Sequence, residues 1–142
     1  MAMFYYLEPE VAGGIGPKSE LHRDNGKLVV TRLNYEFDGW LGDALLETTP
    51  CFIVTENARQ LIEFAALTGV SFSDVEVTRS GLFTDLYGDK VLPDFWWMIV
   101  QGEPETDDFG MTSDLRLVTS ERALAILRRA GLTHAEVEPV GD

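Results

Sequence analysis

Thiol and imidazole groups, the pair a cysteine nucleophile with its base would need, are few in this sequence: one cysteine, Cys51, and two histidines, His22 and His134. A thiolate activated by an imidazole would support acyl transfer. Cys51, however, stands between Pro50 and the apolar run Phe52-Ile-Val, where a small buried thiol is the commoner use. Each histidine lies in a polar stretch with no second ligand at helical spacing, so both are expected to be exposed and no metal site is expected. Gly13-Gly14-Ile15-Gly16 lacks the spacing of a phosphate-binding loop or a dinucleotide fingerprint, and no lysine-serine pair closes it. Its glycines are expected to supply positive φ angles in a turn. Carboxylates are abundant, and Asp38 with Asp43, or the group from Glu103 to Asp108, could do acid-base work or hold a divalent cation. Among 24 acidic residues chance proximity is expected, and nothing in the sequence marks which acid is buried enough to act as a catalyst. The expectation is a protein with no catalytic residues and no cofactor.

Two stretches carry a different signal. Trp40 sits in the turn Asp38-Gly-Trp-Leu-Gly-Asp43, and Glu103, Glu105, Asp107 and Asp108 lie beside Phe109. Aromatic anchors edged by acids suit the active site or groove of a basic partner. Asp38, Trp40, Asp43, Glu103, Glu105, Asp107 and Asp108 are therefore the expected partner contacts. Trp40 has a second reading, as a core plug folded back over a sheet, and the acidic loop has one as a solvated tip. Charge points the same way: 24 acidic residues against 11 basic ones leave a net charge of -13. Such a surface repels nucleic acid and anionic membranes and attracts basic proteins, accelerating encounter more than it tightens the complex.

These residues need a scaffold, and the chain is long enough for one: 142 residues with 45% hydrophobic side chains match a single domain with a real core. One cysteine cannot form an intramolecular disulfide, which fits a reducing compartment. Met1 to Pro9 has no basic region followed by an apolar run, and no stretch approaches the roughly 18 apolar residues of a membrane span. A cytoplasmic protein is expected. Phe4 to Leu7 reads as a strand, Val11 to Pro17 as a loop, Lys27 to Phe37 as one strand, and Asp38-Gly39 as a turn. Trp40 to Glu47 is compatible with a helical turn or a structured loop. Phe52 to Thr55 is a buried strand leading into a helix over Glu56 to Leu67, with Ala58, Leu61, Ile62 and Ala65 on one face, Thr55 as its cap and Gly69 to end it. Phe72 to Val77 is a strand, Leu82 to Tyr87 a short helical piece, Phe95 to Val100 the most apolar strand, and Gly102 to Ser113 a surface loop. Leu115 to Thr119 is a strand, Ser120 caps a helix from Glu121 to Ala130 that Gly131 ends, and Ala135 to Val140 returns as a strand.

Glu56 to Thr68 can be laid over Glu121 to Thr133 without a gap at an offset of 65, with the glutamate, two alanines, a leucine and the threonine coinciding. This suggests a strand-helix-strand unit used twice, its small alanines letting each helix lie close on a sheet. The fold expected is α+β, one domain, with a mixed or antiparallel sheet and two principal amphipathic helices.

Cys51-Phe-Ile-Val-Thr-Glu with its helix, Leu67-Thr-Gly-Val-Ser-Phe-Ser-Asp-Val-Glu-Val77 and Leu117-Val-Thr-Ser-Glu-Arg-Ala-Leu124 resemble segments of bacterial immunity proteins of polymorphic toxin systems. The likeness covers the last two-thirds of the chain and is more specific for fold than for activity. It implies a small cytosolic protein that binds and neutralises a cognate toxin or effector, usually encoded beside it, as a stoichiometric inhibitor. Two other readings stand beside it. An acidic mimic of nucleic acid would inhibit a DNA-handling protein, and a small acid-base hydrolase would hold a carboxyl titrating near neutrality in a pocket.

Overall fold

A computed structural model describes residues 3–141; Met1 and Ala2, part of the run read for a leader, and Asp142 lie outside them. From the N-terminus the chain forms β1 (Phe4–Glu8), β2 (Gly13–Ile15), β3 (Glu20–Asp24), β4 (Lys27–Arg32), β5 (Asn34–Phe37), β6 (Leu45–Thr48) and β7 (Cys51–Thr55). There follow α1 (Glu56–Phe64), β8 (Val70–Ser73), β9 (Glu76–Arg79), α2 (Gly81–Tyr87) and β10 (Phe95–Val100). β11 (Phe109–Met111), β12 (Leu117–Ser120), α3 (Glu121–Gly131) and β13 (Glu136–Pro139) complete it. The architecture is α+β, and no helix among the described residues is long and apolar enough to cross a membrane.

Two four-stranded antiparallel sheets follow one plan. Their orders are β6-β7-β10-β8 and β11-β12-β1-β13, so that β7-α1-β8 straddles β10 as β12-α3-β13 straddles β1. The registers coincide as well. Thr55 pairs with Phe95, and Trp97 lies between Ile53 and Ser73. In the other sheet Ser120 pairs with Phe4, and Tyr6 lies between Val118 and Glu138. Every flanking residue is displaced by 65 positions, so the echo between the helices is a structural repeat. It also lays Phe4-Tyr-Tyr-Leu7 over Phe95-Trp-Trp-Met98, a likeness hidden along the chain because one central strand precedes its helix and the other follows it.

Matching caps start the two helices. Thr55 Oγ1 accepts the Ala58 N–H at 3.2 Å and Ser120 Oγ accepts that of Ala123 at 3.1 Å, each cap contributing about 1 kcal/mol. Ala58 and Ala123, fully buried, let the helices settle against each other and the sheets in a core that includes Leu7, Phe52, Val54, Ile62, Met98, Phe109, Leu117, Leu124 and Leu127. α1 is shorter than its apolar periodicity suggests: it ends at Phe64, and Ala66 turns the chain out at a φ of 54°.

The sheet around β10 is covered on both faces, which explains why all of β7 is apolar and buried apart from its capping threonine's hydroxyl. Phe52, Val54 and Met98 face the first core, whereas Leu46, Cys51, Ile53 and Phe95 face a second. A three-stranded sheet, β2-β5-β9, and α2 close that second core with Tyr35, Phe37 and Phe83. Trp96 packs on the first core and Trp97 on the second, both half-buried.

Several element boundaries differ from the sequence reading. Lys27 to Phe37 breaks at Leu33 into β4, which pairs with β3 in a hairpin, and β5, which pairs with β2 and in parallel with β9. Phe72 to Val77 divides between two sheets. The glycine-rich loop contains strand β2, and its glycines permit close approach: a Cβ on Gly13 would lie 1.9 Å from the Glu36 carbonyl oxygen, and one on Gly16 2.0 Å from Asn34 Oδ1. None of Gly13, Gly14 and Gly16 has a positive φ, contrary to the turn expected there. The acidic loop ends in β11, where Phe109 is fully buried.

Candidate functional site

The expected partner contacts separate into structural clasps and surface groups. Asp43, in the turn before β6, is 1% exposed. Its Oδ1 accepts the N–H and hydroxyl of Thr133, both at 3.0 Å, and faces His134 Nδ1 at 3.0 Å, while Oδ2 accepts the His134 N–H at 2.8 Å. Asp108, before β11, repeats this arrangement in reverse: Oδ2 accepts the N–H of Thr68 at 2.9 Å and its hydroxyl at 3.3 Å. Thr68 and Thr133 are the threonines of the 65-residue echo, so each half of the repeat pins the chain leaving the other half's helix. Burial raises both carboxyls, but hydrogen bonds outweigh it. Those from Thr133 and His134 bring Asp43 below its ordinary value, and those from Arg122, Ser120 and Thr68, with the Arg122 charge, bring Asp108 to about 2. Asp43 is thus too buried to be a contact residue, which corrects that expectation, and Asp108 is engaged in holding the halves together.

Asp38 and Trp40 belong to an exposed groove of about 350 Å³ between α2 and the segments around Ala12 and Gly39. Ser80 caps α2 by accepting the Phe83 N–H at 3.1 Å, and Phe83 plugs the second core. One position to the side, the i, i+4 pair Leu82 and Leu86 is left facing outward. With Tyr87 from the same helix, and Val11 and Leu41 from opposite it, they make an apolar lining whose members are 40% to 66% exposed. Trp40 forms the floor. Its Nε1–H donates to the Asp43 carbonyl at 2.9 Å, its edge meets Phe95 at 5.9 Å between centroids, and Lys90 Nζ donates to its carbonyl at 2.9 Å. It is thus a half-buried plug that also lines the groove. Glu10 fixes the opposite wall by accepting the Leu41 N–H at 2.6 Å. Asp38 is exposed at the rim, and Asp85 is exposed on α2.

Glu103 and Glu105 are exposed on the other acidic segment, a hydrogen-bonded turn in which Asp107 Oδ2 accepts the Glu103 N–H at 2.8 Å. None of Glu103, Glu105, Asp107 and Asp108 lines the groove that holds Asp38 and Trp40. A larger depression of about 470 Å³, bounded by Glu56, Asp74, Arg79 and Asp94, is polar, and Glu56 is already engaged by Arg59, Gln60 and Trp96. Carboxyls raised from their ordinary value are Glu47, through burial, and Glu136, through its hydrogen bond to Glu8. Burial pushes the Cys51 thiol up to about 12, and the residue is 4% exposed.

Val11, Leu41, Leu82, Leu86 and Tyr87 escaped the sequence reading because exposure of a leucine has no local signature. The outward i, i+4 pair in a helix whose core contact is Phe83 was the available signal. His134 was read as isolated, whereas the fold sets it against Asp43, 91 residues away, beside buried Glu10. In comparisons with known proteins, the chain matches no protein-family model and no curated protein.

Proposed function

We propose that this protein is a stoichiometric inhibitor that binds and neutralises a basic protein toxin, with the α2 groove as its docking surface. The observation that carries the reading is the groove lining: five apolar side chains left in solvent on a fixed frame, in a chain whose net charge is -13. Side chains exposed to this degree gain on the order of 1 kcal/mol each when a partner covers them. The pinned Leu41 backbone and Trp40 indole keep the ordering cost of binding low. Asp38 at the edge favours a basic rim on the partner, and the remaining negative surface, including Asp85, Glu103 and Glu105, steers its approach. The cytoplasm is the compartment in which a toxin-producing cell needs such protection, and the resemblance of the repeat segments to immunity proteins agrees with this role.

The test is capture from a lysate of the native cell, using tagged wild-type protein and a Leu82→Asp, Leu86→Asp variant at low and high salt. A single basic partner held at one-to-one stoichiometry by the wild type and lost from the variant is expected, with slower capture as salt screens the approach. Equal capture by both proteins removes the groove from the interface. A partner rich in nucleic-acid-binding surface whose retention falls steeply with salt favours mimicry of nucleic acid.

A further inference from the structure

The two clasps differ in how their charge is balanced. Asp108 meets a guanidinium, Arg122 Nη2, at 2.9 Å. Asp43 has a second carboxylate for company: Glu10 is 8% exposed, and its Oε1 accepts the Asp43 N–H at 3.4 Å. Among the described residues neither Glu10 nor Asp43 forms an ion pair with a lysine or arginine, and the one ionisable partner is His134. Two enclosed carboxylates without a fixed cation are costly, and burial of such charge is ordinarily accompanied by pairing or by a metal ion.

We propose that Glu10, Asp43 and His134 form a binding site for a divalent transition-metal cation of the zinc type. One ligand atom from each lies within 4.8 Å of the other two, a triangle whose centre a cation can occupy after small side-chain adjustments. Each carboxylate has capacity left. Asp43 Oδ2 accepts one hydrogen bond, from the His134 N–H, and Glu10 Oε1 accepts one long one. The His134 ring is 42% exposed and can turn a nitrogen from Asp43 toward the cation, which gives the ion its route from solvent. Two carboxylates with a neutral imidazole supply two negative charges, which a divalent ion cancels. The mixed oxygen and nitrogen set suits zinc better than magnesium or calcium, which favour oxygen alone. Thr133, which donates twice to Asp43 Oδ1, is the outer support that holds this ligand in place. Glu10 also lines the groove, and the site adjoins it without depending on the docking role.

The experiment is calorimetric titration and thermal melting of the full chain, first freed of metal by a chelator, with zinc chloride, magnesium chloride and calcium chloride as probes. One saturable zinc site per chain and a rise in Tm are expected, with no comparable response to magnesium or calcium. His134→Ala, which keeps the backbone donor to Asp43, should abolish the site; Glu10→Gln, which keeps an acceptor for the Leu41 N–H, should weaken it at least tenfold. His22→Ala should leave it intact. Absence of saturable zinc binding, or binding that survives His134→Ala or disappears in His22→Ala, overturns the assignment. Loss of partner capture in the groove variant with zinc binding retained would keep the two proposals distinct.

Discussion

Replacement of Asp108 by asparagine removes one clasp while keeping its shape. In the folded protein this carboxyl titrates at about 2 against an ordinary 3.8; its side chain is 11% exposed, while that of Arg122 is 59% exposed, so solvent screens part of the attraction. The difference corresponds to about 2 kcal/mol of stability at neutral pH. Asparagine forfeits the charge facing Arg122 and also presents an NH₂ to a cluster of donors, namely Thr68 N–H, Ser120 Oγ–H and the guanidinium. The expected loss is therefore about 2 to 3 kcal/mol, or a fall in Tm of roughly 6 to 10 °C for a chain of this size. Urea denaturation at pH 7 measures the first quantity. A series of melts from pH 7 to pH 2 tests its cause: the folded value lies below the unfolded one, so the contribution is complete above about pH 4 to 5 and is lost as pH falls toward 2. The gap between wild type and variant should close over that window. A variant as stable as wild type at pH 7, or a gap that stays constant down to pH 2, refutes the electrostatic account of the clasp.

Thr119 Oγ1 is a buried oxygen without a hydrogen-bond partner, at the position where the repeat places Val54. Thr119→Val should raise stability by about 1 kcal/mol in chemical denaturation, and a loss of stability would show that the hydroxyl is satisfied. Cys51 should resist alkylation at pH 8 in the native protein and react at the rate of a free thiol in urea; fast native labelling would contradict its burial.

What could be read along the chain was what local chemistry determines. Thr55 and Ser120 announced their caps, the apolar residues of α1 and α3 announced their buried faces, and the offset of 65 between the helices proved to extend to the strands. What could not be read depends on residues distant in sequence. The match of Phe4-Tyr-Tyr-Leu7 to Phe95-Trp-Trp-Met98 requires knowing which strand each helix unit encloses. Asp43 looks like a surface turn acid until Thr133 and His134 arrive from 90 and 91 residues away. Gly13 looks like a turn residue until the β5 backbone comes too close for any side chain, and Gly16 until the Asn34 side chain fills the space beside it. Of the acids expected to meet a partner, Asp38, Glu103 and Glu105 remain exposed, while Asp43 and Asp108 serve the fold.

The central claim, neutralisation through the groove, is tested most directly by growth. The captured basic partner would be expressed alone, with the wild-type protein, and with the Leu82→Asp, Leu86→Asp variant, whose fold is first verified by its melt. The account predicts that the partner alone stops growth, that wild-type protein restores it, and that the variant fails to. A partner harmless by itself, or a variant that protects as well as the wild type, would contradict it.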